Sequence, residues 1–248
     1  MKAIILAAGY ATRLYPLTIN TPKMLLKIAG KTMMDYIMDD ISNIDEIDEI
    51  FIITNHRFYD TFIDWAGNRE FTKLVKILDD NTTSDRDKLG AIGDINFVIE
   101  NEKIDDDLMV LAGDNFYTFT LRDFYEFYKK VDKDCVCVKQ LDNPETLKRM
   151  AIAILDEKGK VLDMEEKPQK PKSNNAVFAF YIYRRDTVPL FKKYIKEGNN
   201  PDAPGHFPSW LYKFKDVYAF KFEGECYDIG TPEAFHEVNE KFSSKANV

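Results

Sequence analysis

Long hydrophobic runs are missing from this sequence of 248 residues, in which no stretch approaches the roughly 20 apolar residues that a membrane-spanning helix needs. The opening apolar segment, residues 2–7, is too short for a signal peptide and leads into a charged loop. These absences argue against a membrane partner. They predict a soluble protein that works in the cytoplasm.

Cysteine is scarce as well, with only Cys135, Cys137 and Cys226 in the chain. This odd, small number argues against a framework of disulfides. Cys135 and Cys137 stand two apart in a strand-like run, so they share a face and suit neither a zinc site nor a disulfide. We therefore expect the cysteines to act as small apolar core residues of a protein that works in a reducing compartment.

Positive charge is also in short supply, because 34 Lys and Arg residues face 42 Asp and Glu residues and the net charge is −8. No stripe of basic residues stands out, which makes nucleic acid a poor candidate partner. An acidic protein can still bind phosphate groups, but it needs a local cluster of cations for this purpose.

The first half of the chain contains a regular alternation of strand-like and helix-like segments. The strand-like runs are residues 2–7, 50–54, 74–78 and 108–112, and the helix-like segments are residues 33–41, 58–65 and 91–99. Strands that alternate with helices predict an α/β fold with a Rossmann-like, mostly parallel sheet flanked by helices.

The second half is richer in strands and predicts a smaller lobe that contains a β-hairpin. Its strand-like runs are residues 135–139, 151–155, 161–165, 177–183 and 217–222. We predict a helix over 186–197 with Asp186 as its N-cap. We predict a closing helix over 232–242, with Thr231 as N-cap and Pro232 at its first position. The whole chain reads as one domain, 1–248, with lobes at 1–130 and 131–248.

A flexible, cationic loop follows the first strand, starting at Gly9. In a doubly wound sheet, ligands bind beyond the carboxyl ends of the strands. A glycine turn at this place can present backbone N–H groups to phosphates. Arg13 adds a permanent cation with a planar fork, and Lys23 supplies a second one. Together they form the local positive site that a triphosphate requires.

Two common phosphate motifs are absent from this region. The dinucleotide fingerprint needs glycines at positions where Ala11 and Leu14 stand, which argues against a nicotinamide-dependent dehydrogenase. The segment around Gly30 looks like the end of a P-loop, but Leu25 occupies the place of the leading glycine. The loop therefore predicts a triphosphate site of another kind.

The stretch from Leu6 to Lys23 resembles the opening signature of the sugar-1-phosphate nucleotidyltransferases (NDP-sugar pyrophosphorylases), typified by glucose-1-phosphate thymidylyltransferase. That signature reads G-x-G-T-R-x-x-P-x-T and then P-K. One departure is Ala11, where the family usually has its second glycine, so a methyl group narrows the approach of the nucleotide. The nucleotide-binding residues that the resemblance implies are Leu6, Ala8, Gly9, Tyr10, Ala11 and Thr12.

Two aspartates are the candidate metal ligands. Asp114 ends a buried strand, and such a carboxylate suits Mg²⁺, which prefers hard oxygen ligands. Asp228 lies far away in the sequence, just before the last helix. The resemblance implies that the two meet, because G-D-N and D-x-G-T-P are the metal-carrying motifs of the family. It also implies Mg²⁺ as the cofactor.

A third motif, Glu166-Lys167-Pro168, closes the second hairpin. On its own, Lys167 could equally be a solvated strand end. The motif is similar to the family's E-K-P, in which the lysine holds the sugar phosphate and the glutamate holds a sugar hydroxyl. The acceptor site that the resemblance implies consists of Asn115, Glu166, Lys167, Asn175 and Val177. All of these except Asn115 lie in lobe 131–248. Lobe 1–130 would then bind the nucleotide.

The reaction that the resemblance implies needs no general base, since a phosphate monoester has a second pKa of about 6 and is an anion near neutral pH. An oxygen of the sugar 1-phosphate attacks the α-phosphorus of the nucleoside triphosphate in line, and pyrophosphate leaves. Arg13 and Lys23 would neutralise the triphosphate, and Lys167 would hold the attacking phosphate.

The base and the acceptor stay open at this point. Asn81 and Gly90 are the candidates for base contact. Met150-Ala151 stands where the thymidylyltransferases carry a Tyr-Gly pair that is used on the sugar. One alternative is therefore a cytidylyltransferase that acts on a non-sugar phosphate such as phosphocholine. Another is a catalytically silent nucleotide-binding regulatory protein. A homo-oligomer is also possible.

Overall fold

The computed structural model of the protein describes the backbone of residues 1–246 and the side chains of residues 1–244. The strands in this part are β1 (Lys2–Leu6), β2 (Lys27–Ile28), β3 (Lys31–Thr32), β4 (Glu49–Thr54), β5 (Leu74–Asp79), β6 (Leu108–Ala112), β7 (Asn115–Tyr117), β8 (Asp134–Gln140), β9 (Ala151–Leu155), β10 (Val161–Glu166), β11 (Asn175–Tyr183), β12 (Val217–Lys221) and β13 (Cys226–Asp228). The helices are α1 (Met33–Ser42), α2 (Tyr59–Gly67), α3 (Ala91–Glu102), α4 (Leu121–Val131), α5 (Pro144–Leu147), α6 (Leu190–Lys196), α7 (His206–Leu211) and α8 (Pro232–Ala246). The predicted domain 1–248 extends to residues 247 and 248, which lie outside the described residues.

This mixed α/β architecture confirms the predicted fold class. Strands β6 and β9 have the predicted bounds. The closing helix α8 begins at Pro232, and the N–H of Ala234 donates to Oγ1 of Thr231 at 3.3 Å, so the predicted N-cap is confirmed. Cys135 and Cys137 are buried in β8, as expected of core residues.

One predicted helix start is wrong. The helix predicted from residue 186 begins at Leu190, directly after Pro189. A proline disfavours the helical conformation at the residue before it, so Val188 cannot continue a helix from Asp186. The carboxylate of Asp186 does not act as an N-cap but pairs with Nζ of Lys215 at 2.7 Å. Helices α4 and α7 were not predicted at all.

The chain divides into two compact units that interleave along the sequence. Unit 1 comprises Met1–Ile4, Leu89–Leu111 and Asp123–Glu223, and unit 2 comprises Ile5–Lys88, Ala112–Arg122 and the segment from Gly224 onward. The sequence predicted two consecutive lobes instead, and their division into a nucleotide-binding and an acceptor-binding part stays a prediction.

Unit 1 is built around a largely antiparallel part of the main sheet, with strand order β10-β9-β11-β6. The long strand β11 pairs antiparallel with β6, β8 and β9, and β12 pairs parallel with β8. Strands β9 and β10 form the predicted hairpin, with Glu166 opposite Ala151. Helix α7 packs against β10.

Unit 2 contains the parallel strands β4 and β5 and the end of β1, where the N–H of Ala7 donates to the carbonyl of Ile53 at 2.8 Å. Helix α2 packs against β5. Two small antiparallel sheets, β2 with β3 and β7 with β13, complete this unit. Within the described residues, no helix is long and apolar enough to cross a membrane.

Candidate active site

One apolar cluster in unit 2 packs together segments that are distant in sequence. Its buried members are Leu14, Leu26, Ile28, Met33, Phe116, Ile229, Phe235 and Val238. Leu14 follows Arg13 and Ile229 follows Asp228, so burial of each apolar side chain also places its charged neighbour. Each buried side chain of this size contributes about 1.5–3 kcal/mol, which makes the cluster the main force that assembles the site.

The short sheet of β7 and β13 brings the two predicted metal ligands together. In its register Asp228 lies opposite Asn115, next to Asp114 in sequence. The N–H of Ile229 donates to the carbonyl of Asp114 at 3.3 Å, and Nδ2 of Asn115 donates to Oδ1 of Asp114 at 3.2 Å. We call Asp114 and Asp228 the carboxylate pair.

Lys23 connects the two members of the carboxylate pair. Its Nζ lies 3.5 Å from Oδ2 of Asp114 and 3.7 Å from Oδ1 of Asp228. The side chain of Lys23 is only 11% exposed, whereas those of Asp114 and Asp228 are 54% and 67% exposed. A largely buried cation therefore stands beside two carboxylates whose remaining oxygen surface is open to a ligand.

The pKa of Asp228 depends on the charged groups around it. Desolvation raises the pKa of Asp228, and the charge of Asp114 raises it further, while the cations of Lys23 and Arg13 oppose both effects. Arg13 also lies near Gly230, since a Cβ there would be 3.7 Å from an Nη atom of Arg13. Thus four of the predicted charged residues belong to one site in unit 2.

The carboxylate pair offers two hard oxygen ligands to a metal ion and relies on waters or substrate for the others. Among the described residues, no group of three or more His, Cys, Asp or Glu side chains could hold a metal ion by itself. Two exposed carboxylates suit Mg²⁺, which commonly takes one or two protein carboxylates and completes its octahedron with waters and substrate phosphates.

The loop that follows β1, residues 7–13, is the second part of this site, and we call it the β1 loop. In the described part of the chain, the backbone N–H groups of residues 9–12 donate to no protein acceptor. Ala11 adopts the left-handed conformation with φ +47°. A Cβ at Gly9 would meet open space. Consecutive N–H groups without internal partners form the kind of backbone cradle that binds anions.

The segment after β5 contacts the β1 loop through Tyr10. The hydroxyl of Tyr10 and Oγ1 of Thr82 lie 3.0 Å apart in the interior. Asp80 is buried and accepts from the N–H of Thr82 at 2.7 Å. Asn81, a predicted base contact, has φ +64° and donates to Asp79 through its backbone N–H and its side-chain amide. Its role in base contact stays a prediction.

Gly90, the other predicted base contact, belongs to unit 1, and the local backbone requires a glycine at this position. Its φ is +78°, and a Cβ would approach the carbonyl oxygen of Pro201 to 2.6 Å. The N–H groups of Ala91 and Ile92, at the start of α3, donate to the carbonyls of Asp202 and Pro201. Close backbone packing thus explains this glycine, and base contact there stays a prediction.

In unit 1, Glu166 is a nearly buried carboxylate, with a side chain that is 8% exposed. Its Oε1 lies 3.8 Å from Nζ of Lys167, which is 53% exposed. Lys167 has φ +49°, and its N–H donates to the carbonyl of Met150 at 3.1 Å. A Cβ at Gly205 would overlap Oε2 of Glu166. Any larger residue at this position would therefore require the carboxylate of Glu166 to move.

The surroundings of Glu166 include residues that the sequence analysis missed. Burial raises the pKa of Glu166, Lys167 opposes this, and Asp202 adds to it. Burial and the charge of Lys167 lower the pKa of His206. Burial and the charge of Glu166 raise the pKa of Tyr194 to about 12. No motif pointed to these residues, because α6, α7 and the loop between them carry no recognisable spacing of chemical groups.

Two further predicted acceptor residues lie on β11. Nδ2 of Asn175 donates to the carbonyl of Ala153 at 3.3 Å, and its N–H donates to Oγ of Ser173 at 3.1 Å. Val177 is buried opposite Ala151. Both residues support the strand that carries Ala151, and their contact with an acceptor stays a prediction.

The arrangement of carboxylates, cations and open N–H groups is that of a site for phosphate chemistry on an α/β fold. Residues 2–245 match the family model described as Nucleotidyl transferase, and the chain therefore belongs to this family. The resemblance noted in the sequence is thus confirmed.

The chain is also similar in sequence to individual known proteins. The chain is 28% identical over 252 residues to the bifunctional protein GlmU of Methanocaldococcus jannaschii, with all of this chain and 56% of that protein covered. It is 27% identical over 257 residues to glucose-1-phosphate adenylyltransferase of Clostridium novyi, with 96% of this chain and 66% of that protein covered. The chain thus spans between about half and two-thirds of the length of these relatives.

The fold itself is similar to that of UDP-glucose pyrophosphorylase solved in complex with UDP-glucose. The TM-score is 0.82, with 98% of each chain covered and 20% sequence identity. At this identity the likeness concerns the fold, and it confirms the predicted nucleotide-sugar-transferase-like architecture.

Proposed function

We propose that the protein is a sugar-1-phosphate nucleotidyltransferase, which transfers a nucleoside monophosphate from a nucleoside triphosphate to a sugar 1-phosphate and releases pyrophosphate. The observation that carries this proposal is the position of Lys23, 3.5 Å and 3.7 Å from the carboxylates of Asp114 and Asp228. The similarity of the chain to a glucose-1-phosphate adenylyltransferase supports the same reaction class.

The chain's own residues supply positioning and charge neutralisation. The open N–H groups of residues 9–12 and the guanidinium of Arg13 bind the triphosphate. Lys23 neutralises charge that develops as the α-phosphorus is attacked in line by an oxygen of the acceptor phosphate. Lys167 holds the acceptor phosphate, which reduces the repulsion between two anions.

The carboxylate pair would hold Mg²⁺, whose chemistry is to neutralise phosphate oxygens and orient the triphosphate. The support for this cofactor is the donor set, since both carboxylates offer hard oxygen ligands and remain more than half exposed. A cytoplasmic location, where thiols stay reduced, is supported by the small and odd number of cysteines.

For the acceptor, the nearly buried carboxylate of Glu166 favours a polyhydroxylated sugar. In the described residues its side chain accepts no hydrogen bond from the protein, and only the ion pair with Lys167 is present. A buried carboxylate without donors is costly, and sugar hydroxyls would supply them. A quaternary ammonium group such as that of phosphocholine would meet this carboxylate through its charge alone, because it has no N–H to donate, whereas sugar hydroxyls would supply hydrogen bonds.

The test is pyrophosphate release with Mg²⁺ for each of ATP, CTP, GTP, UTP and dTTP against a panel of sugar 1-phosphates and phosphocholine. Release in one combination with a sugar 1-phosphate is expected, and it identifies both substrates. Release only with phosphocholine would replace the acceptor class by the cytidylyltransferase alternative. Triphosphate binding without release from any combination would favour the regulatory alternative.

A further inference from the structure

The β1 loop is fixed at two carbonyl oxygens by side chains that no motif for catalysis includes. Nδ2 of Asn55 donates to the carbonyl of Ala8 at 2.8 Å. Oγ1 of Thr18 donates to the carbonyl of Ala11 at 2.8 Å. Both side chains are fully buried. The two contacts bracket the loop segment whose N–H groups donate to no protein acceptor.

The hydrogen bond from Thr18 is made to Ala11, whose backbone has a conformation that alanine does not favour. Ala11 has φ +47° and ψ 38°, in the left-handed region, where a Cβ costs roughly 1–2 kcal/mol. Its carbonyl accepts from both Oγ1 of Thr18 and the N–H of Leu14. These two donors stabilise the left-handed geometry and so orient the peptide groups of the loop.

The Asn55 contact joins the other end of the loop to a rigid element. Its Oδ1 accepts from the N–H of Phe58 at 3.2 Å, which caps the short 3-10 turn His56–Phe58. The same side chain therefore bonds the loop on one side and the start of the α2 segment on the other. Because no water reaches it, this amide has no competing partner, and its direction is set by the protein alone.

We propose that Thr18 and Asn55 are positioning residues for nucleotide binding, which hold the carbonyls of Ala11 and Ala8 and thereby keep the intervening N–H groups arranged for the triphosphate. The proposal rests on the proposed function in that the ligand of the loop is a nucleoside triphosphate. It goes beyond that function because both side chains are fully buried and act on the loop backbone. Preorganised donors bind an anion without further ordering, and this is why the effect should appear in affinity.

The test uses Thr18→Val, which removes the hydroxyl with little change in shape, and Thr18→Ser, which restores it. Calorimetry with Mg²⁺ and each of ATP, CTP, GTP, UTP and dTTP first finds the triphosphate that binds unsubstituted protein most tightly. For this triphosphate we expect about tenfold weaker binding by Thr18→Val, the net value of one hydrogen bond. Thr18→Ser should bind like the unsubstituted protein.

The matched control is Thr187→Val in unit 1. Thr187 is also fully buried, and its hydroxyl donates to Oδ2 of Asp134 at 2.8 Å. This variant should lose stability but keep the triphosphate Kd, because a general loss of folded protein lowers the active fraction and not the affinity. In turnover assays Thr18→Val should raise KM for the triphosphate, with kcat and KM for the acceptor nearly unchanged.

An unchanged Kd in Thr18→Val, or an equal change in Thr187→Val, would overturn the proposal. If Thr18→Val does not fold, Asn55→Ser takes its place, since serine still caps the turn but is too short to reach Ala8. If the protein binds triphosphate but releases no pyrophosphate with any acceptor, the proposed function fails while the Kd comparison still decides this inference. If it binds none of the five, both fail.

Discussion

The two units use charge in opposite ways. In unit 2, Arg13, Lys23 and the carboxylate pair form a charged group whose acidic members are largely exposed. Next to it lie backbone N–H groups that donate to no acceptor within the part of the chain that the structure describes. In unit 1, the nearly buried carboxylate of Glu166 stands beside the exposed Lys167. The first arrangement suits a highly charged, metal-bound triphosphate, and the second suits hydroxyl groups that donate hydrogen bonds. The difference predicts separate kinetic signatures for the two units.

The largest effect should come from the carboxylate pair. Asp114→Asn and Asp228→Asn each replace a hard anionic ligand by a neutral amide, and we expect a loss of about 10²-fold or more in turnover. Pyrophosphate release measured against Mg²⁺ concentration checks this. Asp64→Asn, an exposed aspartate on α2, is the control and should change nothing. Near-normal rates in either variant would remove the metal assignment.

Glu166→Gln should act on the acceptor and leave the triphosphate alone. Loss of a charge-assisted hydrogen bond costs roughly 1.5–3 kcal/mol, so kcat/KM for the acceptor should fall about tenfold to hundredfold. Triphosphate KM should stay constant. Glu157→Gln in the exposed hairpin turn is the matched control. A rise in triphosphate KM instead would break the division of labour between the units.

The pH dependence of the KM for the acceptor also tests whether Glu166 binds the acceptor. Burial raises the pKa of Glu166 above its ordinary value of 4.5, so the carboxylate takes up its proton at a higher pH than an exposed glutamate. The ionised, accepting form is therefore lost as pH falls through that raised pKa, and the acceptor KM should rise there. Steady-state kinetics from neutral to acidic pH measure this. The rise should be smaller in Glu166→Gln, where only the acceptor phosphate, with a second pKa of about 6, still takes up a proton.

Gly205→Ala should produce a moderate effect confined to unit 1. The new Cβ would overlap Oε2 of Glu166, and such overpacking typically costs about 1–3 kcal/mol. Thermal unfolding measures the loss, and the acceptor KM should rise with it. Gly67→Ala, where a Cβ meets open space at the end of α2, serves as control. Equal losses in both variants would mean that Glu166 is not tightly held.

The smallest expected effect concerns Ala11→Gly in unit 2. Glycine adopts the left-handed conformation without the cost of a Cβ. The loop should therefore depend less on the hydrogen bond from Thr18 to the carbonyl of residue 11. The change in triphosphate Kd caused by Thr18→Val should therefore be smaller in an Ala11→Gly background than with Ala11. A double-mutant cycle of the four proteins measures this coupling. Additive effects would contradict the role assigned to the left-handed alanine.

Local features of the fold could be predicted from short sequence patterns, and long-range ones could not. Strands such as β6 and β9, and the cap of α8 at Thr231, follow from short patterns and were predicted correctly. The start of α6 was missed because Pro189 overrides an attractive N-cap at Asp186. Helix α7, which brings Gly205 against Glu166, has no motif and was not predicted.

The sequence by itself determined the class of protein, because the signature from Leu6 to Lys23 and the motifs at 113–115, 165–177 and 227–232 are local strings whose chemistry is carried by residue type. It also determined which cations and carboxylates are available. Only the tertiary structure decided that Lys23 lies between Asp114 and Asp228, and that Thr18 and Asn55 hold the β1 loop. The physical reason is that burial depends on the whole fold and not on neighbours in sequence. Lys23 and Asp228 lie about 200 residues apart, and packing of one apolar cluster brings their segments together.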